Sequence, residues 1–268
     1  MDKKEIQVLF EKVRKIEPLV HHITNPVTIN DCANATLAIG GSPVMATSVE
    51  EVADMVNLAN ALVINFGTID ALTYEAMVIA GKAANQKGVP VILDPVGVGA
   101  TAFRNERVAD YLEKIDVSIV RGNATEVYAL IGGKSETRGV DAGELTDITT
   151  SELAFEAARK LGAVIVISGE QDVICDGKEL ATVDNGHLWL TRITGTGCMT
   201  ASLISCFAGV TDHYFHAAIA GMSTMSLAGE YAKEMLNETD GIGTFRVQLF
   251  DALFRMDGNR WEEGVRLN

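Results

Sequence analysis

Four short apolar runs constrain this chain more than anything else in it: Ala61 to Asn65, Val89 to Asp94, Val117 to Arg121 and Ala163 to Ser168. Each ends in a polar or glycine-bearing turn, and three of the four lead into residues with helical periodicity. Strands without polar alternation must be covered on both faces, and strands that alternate with helices build a parallel sheet. The expected fold is therefore α/β, with a mostly parallel central sheet and helices on both faces. After Ser168 the pattern changes. Asp172 to Cys175 and Lys178 to Val183 flank Asp176-Gly177, a hairpin signal, and His187 to Leu190 reads as a further short strand, so the sheet should gain an antiparallel edge.

The remaining elements follow from period and punctuation. Apolar residues recur at helical spacing from Ile6 through Leu9, Phe10, Val13 and Ile16, and Pro18 closes that surface helix. Leu19-Val20 opens a short strand ending at His21-His22-Ile23-Thr24. Asn25-Pro26 then supplies a cap and a first-turn proline for a helix reaching Gly40-Gly41. Ser48 and Glu51 have capping-box spacing for another helix. Beyond Gly197 the chain reads as mostly helical through Met235, and Thr244 to Met256 as a last helix with Phe245, Leu249, Leu253 and Met256 on one side. Met55, Met77, Met222, Met225 and Met235 recur at helical intervals, as core side chains do. The stretch from Gly132 to Ile148 reads as a long polar loop. With 268 residues, 47% of them hydrophobic, and no linker, repeat or low-complexity segment, the chain is expected to form one domain over 1–268.

A formal charge of -14, from 36 acids against 22 bases, repels polyanions and argues against nucleic acid or an anionic membrane as partner. Any phosphate must be met by local groups. No apolar run approaches the roughly 20 residues of a spanning helix, and Met1-Asp2-Lys3-Lys4-Glu5 leads into an amphipathic pattern, so a cytoplasmic protein is expected. Cys32, Cys175, Cys198 and Cys206 show no C-x-x-C spacing, which suggests reduced thiols rather than a disulfide framework or a zinc site. Cys206, eight residues beyond Cys198 on the same apolar helix, is expected in the core.

The chemistry is best marked by Arg192-Ile193-Thr194-Gly195-Thr196-Gly197-Cys198-Met199-Thr200-Ala201, which joins a β-branched stretch to an apolar helix. Alternate glycines let the chain turn without Cβ clashes, and the helix that follows offers unpaired N–H groups and the positive end of its dipole to an anion. Cys198 would sit beside that anion on the first helical turn. In an open parallel sheet, ligands bind at the carboxyl ends of the strands. The candidates there are Asn65-Phe66-Gly67, Asp94-Pro95-Val96-Gly97, Arg121-Gly122-Asn123 and Ser168-Gly169-Glu170. Asp94 could hold magnesium directly or through water while phosphates complete its shell, or it could stabilise a turn. Asn123 and Glu126 have a spacing that also suits a purely structural helix cap. Gly97-Val98-Gly99-Ala100-Thr101-Ala102 fits a dinucleotide fingerprint, but its strand ends in an acid that would repel a pyrophosphate. Gly133-Lys134-Ser135 ends like a P-loop but has Tyr128 where the upstream glycine belongs, and reads as solvent loop. His21 and His22 face opposite sides of their strand, so only one could serve a site.

Set out in order, Asp94, Asn123 to Glu126 and the Gly195-Thr196-Gly197 turn resemble the ribokinase-like superfamily, and more closely its hydroxyethylthiazole kinases. That narrower resemblance runs nearly end to end. It is carried by His22-Ile23-Thr24-Asn25-Pro26-Val27, Gly41-Ser42-Pro43-Val44-Met45-Ala46, Asn65-Phe66-Gly67-Thr68, Leu93-Asp94-Pro95-Val96-Gly97-Val98-Gly99-Ala100, Arg121-Gly122-Asn123, Ser168-Gly169 and Thr194-Gly195-Thr196-Gly197. The resemblance implies a ribokinase-like three-layer sandwich that transfers the γ-phosphate of ATP to the alcohol of 4-methyl-5-(2-hydroxyethyl)thiazole, with Mg2+, in thiamine salvage. By the same resemblance Arg121, Ser168, Asn123 and Thr194 would meet ATP, and Asp94 and Glu126 would organise the metal. Gly195, Thr196 and Gly197 would form the anion hole. Met45, Gly195, Asn25, Val27 and Gly67 would line the thiazole pocket, and a homotrimer with sites between subunits is implied.

One position departs from the superfamily pattern, which ends the turn in Gly-Asp and uses that carboxylate as base; here it is Cys198. A thiol of ordinary pKa, about 8.5, is only a few per cent ionised at neutral pH, although a helix N-terminus can lower that value. Phosphoryl transfer asks more of positioning and charge neutralisation than of a strong base, so a slow kinase is expected. Two competing functions share the anion-hole turn: a dehydratase of hydrated nicotinamide nucleotides, and a nucleotide-binding pseudokinase. Cys198 and the segments at Asn25 and Met45 disfavour the first, and the retained Asp94 and Glu126 disfavour the second.

Overall fold

The computed structural model describes residues 3–133 and 148–268. The loop reading for Gly132 to Ile148 and the P-loop look-alike at Gly133-Lys134-Ser135 fall largely on 134–147 and so lie outside the described residues. Eight strands, β1 (Leu19–Ile23), β2 (Ser42–Val44), β3 (Ala61–Asn65), β4 (Val91–Asp94), β5 (Ile119–Asn123), β6 (Val164–Ser168), β7 (Asp172–Cys175) and β8 (Leu180–Val183), form one sheet in the order β2-β1-β3-β4-β5-β6-β7-β8. Pairing is parallel from β2 through β6 and antiparallel at β6-β7 and β7-β8, as the hairpin signal required.

Crossover handedness places the helices. β1 leads to β2 through α2 (Ile29–Ile39) in one direction, whereas α3 (Val52–Leu58), α4 (Ala71–Lys87), α5 (Ala102–Lys114), and α6 (Ala124–Leu130) with α7 (Thr150–Leu161) carry the chain the other way. Right-handed crossovers therefore put α2 on one face and α3 to α7 on the other. The two buried clusters divide in that way: Ala35 and Ile39 pack with one, and Val52, Val56, Met77, Val108, Val127 and Leu153 with the other. The face left bare over the central strands is covered by α1 (Lys3–Ile16), α8 (Thr196–Ala208), α9 (Tyr214–Glu234), α10 (Ile242–Arg255) and α11 (Gly258–Gly264). Cys206 lies in that core, as expected, together with Met222 and Met225, while Met77 lies in the other.

Several local expectations are corrected. His187 to Leu190 does not extend the sheet; Leu188–Arg192 forms a 3-10 turn, with His187 Nδ1 accepting the Trp189 N–H at 3.1 Å. The place beside β8 is taken instead by the last residues of the chain, where Thr182 and Asn268 exchange both backbone hydrogen bonds at 2.9 and 3.0 Å. Trp189 prefers the helical layer, packing edge-to-face on Phe245 at 5.6 Å with the Lys233 ammonium 4.3 Å over its ring.

The helix after β1 starts at Ile29 with Thr28 at its cap, not at Asn25-Pro26. The Asn25 side chain is committed to other partners and reaches only the Thr28 N–H, at 3.2 Å. No capping box forms at Ser48 and Glu51, because the Ser48 hydroxyl donates to the Glu50 carboxylate and Glu51 itself is the cap without a side-chain bond. Thr244 to Met256 is not the last helix, since α11 follows it. β2 was not expected as a strand; it carries Pro43, which an edge strand tolerates because one row of its N–H groups needs no partner.

Candidate active site

Two-residue alternation selects the polar cluster. In β3 to β6 the side chains of Val63, Ile92, Ile119 and Val166 face the core under α8. Continuing that phase puts Asn65, Asp94, Arg121, Asn123 and Ser168 on the same face, at the carboxyl ends of their strands. β1 lies between β2 and β3, so the strand order reverses beside these residues, where open α/β sheets bind ligands.

α8 aims its first turn at the cluster. Gly195 is its cap, in the left-handed region at φ 87, and provides no side-chain acceptor. The first intrahelical bond across this turn runs from the Met199 N–H to the Gly195 carbonyl at 2.8 Å, so the amides of Thr196, Gly197 and Cys198 precede the helical ladder. Any larger residue at 195 would be strained by its φ and would put a Cβ 2.6 Å from Thr28 Cγ2; a Cβ on Gly197 would collide with Arg121 Nη1. Gly195 is thus required by its backbone, whereas a side chain at Gly197 would have to push the Arg121 guanidinium aside. Arg121 donates from Nη2 to Ser168 Oγ at 2.7 Å, and its Nε is buried with no partner.

Asp94 is wholly buried. Its Oδ2 accepts from Asn65 Nδ2 at 2.7 Å, while Oδ1 has no partner. Burial pushes its carboxyl up to about 7, with Arg121 opposing the shift and the Glu126 charge adding to it. An orphaned buried carboxylate oxygen with an arginine and a second carboxylate nearby suits a hard cation that brings its other oxygens with it. Glu126 is less available. Its Oε1 accepts the Gly97 N–H at 2.8 Å and its Oε2 the Asn123 N–H at 2.9 Å, so a cation would be reached through water. Among the described residues no three His, Cys, Asp or Glu side chains form a protein-only metal cage.

Cys198 is buried, and its Sγ accepts from Asn65 Nδ2 at 3.2 Å and from Asn25 Nδ2 at 3.5 Å. Burial, and then the Asp94 charge, push the thiol up to about 12. The helix dipole expected to favour a thiolate is outweighed here by desolvation and a like charge. Gly67 joins the cluster through its N–H, which donates to Asn65 Oδ1 at 2.9 Å.

Val27 and Met45 stand apart from this polar cluster on the β1-β2 side, Val27 65% exposed and Met45 half-buried just beyond β2. Thr194 is exposed on the approach to the turn. The two histidines do face opposite sides. His21 donates from Nε2 to the Ala46 carbonyl at 2.8 Å, and His22 Nε2 lies 3.0 Å from Ser202 Oγ on α8. Burial pushes His22 down to about 4, and both histidines act as buried hydrogen-bonding residues.

Sequence reasoning missed several contributors. Asn65 is among the strand-end candidates of the sequence, but its role in joining Asn25, Asp94 and Cys198 is not readable there. Arg104 fastens two rim loops, donating to Val96 O at 2.7 Å, Gly67 O at 2.6 Å and also Phe66 O. Asp172, buried on β7, accepts the Gly169 N–H at 3.1 Å and the Ser226 hydroxyl at 2.8 Å. Burial pushes its carboxyl up to about 6. Asp172 opens β7 directly after the polar Glu170-Gln171, so nothing local marked it, and nothing local marked Arg104.

The sheet order, the antiparallel edge and the helices on both faces define a ribokinase-like fold, with an uncapped helix opposite the strand ends. A ribokinase-like superfamily protein of Enterococcus faecalis superposes with a TM-score of 0.62 over 94% of each chain at 14% identity, a likeness of fold alone. The sequence profile of the hydroxyethylthiazole kinase family matches residues 10–259. A hydroxyethylthiazole kinase of Ruminiclostridium cellulolyticum is 48% identical over 268 residues, 99% of this chain and 97% of its own. The solved hydroxyethylthiazole kinase of Pyrococcus horikoshii superposes with a TM-score of 0.88 at 38% identity, covering 99% of this chain and 98% of that one. The chain belongs to the hydroxyethylthiazole kinase family.

Proposed function

We propose that this protein transfers the γ-phosphate of ATP to the hydroxyl of 4-methyl-5-(2-hydroxyethyl)thiazole, giving thiazole phosphate and ADP in thiamine salvage. The observation that carries the reading is the open α8 N-terminus facing Arg121 and the unpartnered Oδ1 of Asp94. Amides of Thr196, Gly197 and Cys198 receive the oxygens of the migrating phosphoryl group, where preorganised dipoles in a dry site are most effective. Arg121, Ser168, Asn123 and Thr194 meet ATP. Asp94 would hold Mg2+ through Oδ1 and Glu126 would reach it through water; the ion supplies neutralisation of phosphate charge.

The acceptor alcohol lies against Gly195 and Gly67, with Asn25, Val27 and Met45 completing its pocket. Val27 is exposed and Met45 half-buried beside the parallel sheet edge, which supports a pocket finished by a neighbouring subunit of a homotrimer. With its thiol pushed up to about 12, Cys198 is protonated at neutral pH and lines the site rather than acting as a strong base. Proton loss from the alcohol is then unassisted by a ready base, which suits a slow kinase. Among the described residues no helix is long and apolar enough to cross a membrane, and the reading is of one cytoplasmic catalytic domain over 1–268.

A coupled ADP-release assay across hydroxyethylthiazole, hydroxymethylpyrimidine, pyridoxal and ribose, with and without Mg2+, tests this. Magnesium-dependent turnover is expected with the thiazole alcohol above the others. Preference for any of the other three would overturn the substrate, and nucleotide binding without ADP release on any alcohol would overturn the kinase.

A further inference from the structure

Asn65 is 1% exposed and uses every hydrogen-bonding position its amide has. Nδ2 donates to Asp94 Oδ2 at 2.7 Å and to Cys198 Sγ at 3.2 Å. Oδ1 accepts from Asn25 Nδ2 at 2.9 Å and from the Gly67 N–H at 2.9 Å. The amide can point only one way, because the reverse would set its NH2 against two donors and its oxygen against a carboxylate. Asn25 is fixed in turn, since its own Oδ1 accepts the Thr28 N–H at 3.2 Å. The hydrogen bonds therefore run in one direction, from the Thr28 backbone through Asn25 and Asn65 to Asp94 and Cys198.

Those five residues come from four segments. Asn65 ends β3, Asp94 ends β4, Cys198 sits on the first turn of α8, and Asn25 and Thr28 lie between β1 and α2. The backbone joins β3 to β4 here, with the Phe66 N–H donating to the Asp94 carbonyl at 3.0 Å, but it is the Asn65 side chain that ties the Asp94 carboxylate, Asn25 and the first turn of α8 to one another. It also occupies one oxygen of Asp94 and leaves the other, Oδ1, buried and unpartnered.

We propose that Asn65 is a positioning residue for phosphoryl transfer: its amide holds Asp94, Cys198 and Asn25 in one constellation and restricts Asp94 to a single available oxygen. The proposal rests on the kinase reading above. It separates the amide into a donor half, serving Asp94 and Cys198, and an acceptor half, serving Asn25 and Gly67. If reaction geometry depends on the donor half, losing it displaces the carboxylate while the rim loop stays in place.

Asn65→Asp keeps the acceptor half and, assayed at alkaline pH where no shared proton bridges it to Asp94, removes the donor half, whereas Asn65→Leu removes both. Steady-state kinetics with ATP and the thiazole alcohol, Mg2+ titrations and thermal melting are run on both variants beside the unaltered enzyme. Both variants should lose about 100-fold in kcat, the scale of an ångström-level misplacement, with KM for ATP changed less than about threefold. Half-maximal activity should also need several-fold more Mg2+. Retention of kcat within about threefold in Asn65→Asp alone would assign Asn65 to the loop and overturn the proposal, as would a fall in Tm with no change in kcat or in the Mg2+ requirement. Asn65→Ser, small and polar, replaces the carboxylate variant if that one does not fold, and unchanged kcat there overturns the proposal equally. An unaltered enzyme that releases no ADP with the thiazole alcohol would instead defeat the kinase reading.

Discussion

α6 and α8 both begin at the carboxyl edge of the sheet, and they treat their first-turn amides in opposite ways. α6 is closed by its own sequence. The Asn123 side chain accepts the Glu126 N–H at 2.9 Å, and Glu126 returns a bond to the Asn123 N–H at 2.9 Å while also accepting from Gly97 at 2.8 Å. α8 has a glycine where a capping side chain would sit, and its first turn lies against the half-buried Arg121, close to a carboxylate with one free oxygen. A helix N-terminus is open to a ligand where the sequence withholds the cap; where a capping box is present, the same positive end is spent on stability.

The strongest way to break this contrast is to remove the charge that faces the open turn. Asp94→Asn should lower kcat by about 10³-fold, because the cation position is lost while the amides stay in place. The same change should stabilise the ligand-free protein. The native carboxyl is held at about 7 against an ordinary 3.8, so the folded state binds the extra proton between those values. Stability of the parent therefore falls as pH rises from about 4 to 7, and the Tm gain of Asp94→Asn, on the order of 5 °C, is full at pH 8 and gone near pH 4. A lower Tm at pH 8 would show that the carboxylate is not a strained group.

Gly195→Ala attacks the open turn itself. A left-handed φ and a Cβ 2.6 Å from Thr28 Cγ2 should displace the amides and lower kcat by about 10²–10³-fold, and near-normal turnover would remove the turn from the chemistry. At the closed helix, Glu126→Ala withdraws the acceptor from Gly97 and Asn123, and calorimetry should find a loss on the order of 2 kcal/mol with kcat down only about tenfold. A larger kinetic than thermal effect would make the water-mediated metal contact, and not the cap, the main role of Glu126. Smallest should be Cys198→Ala. With the thiol pushed up to about 12, it should retain turnover within about tenfold, and complete loss with ATP binding intact would make the sulfur essential.

Much of this contrast was legible beforehand, but unevenly. The cap at Asn123 and Glu126 and the glycine turn before Cys198 are local patterns, and both form where their spacing places them. Ser48 and Glu51 have the same cap spacing and do not use it, because the helix starts only at Val52, with Glu51 itself at the cap position. His187 to Leu190 has strand composition, yet the edge it would join is filled by residues far away in sequence, and its tryptophan packs on α10. Asp172 and Arg104 carry no motif, and the role of Asn65, which does lie in a recognisable segment, becomes visible only through its partners on other elements.

The sequence alone determined what depends on neighbours along the chain: apolar strands of the right length, the turns that end them, the hairpin at the edge, the uncapped glycines and the family to which these segments belong. The tertiary structure decided what depends on strand order. Bringing β1, β3 and β4 side by side beneath α8 joins Asn25, Asn65, Asp94 and Cys198 in one buried hydrogen-bonded set. That burial, which no local pattern encodes, raises the proton affinities of the carboxyl and the thiol and makes the thiol a poor base.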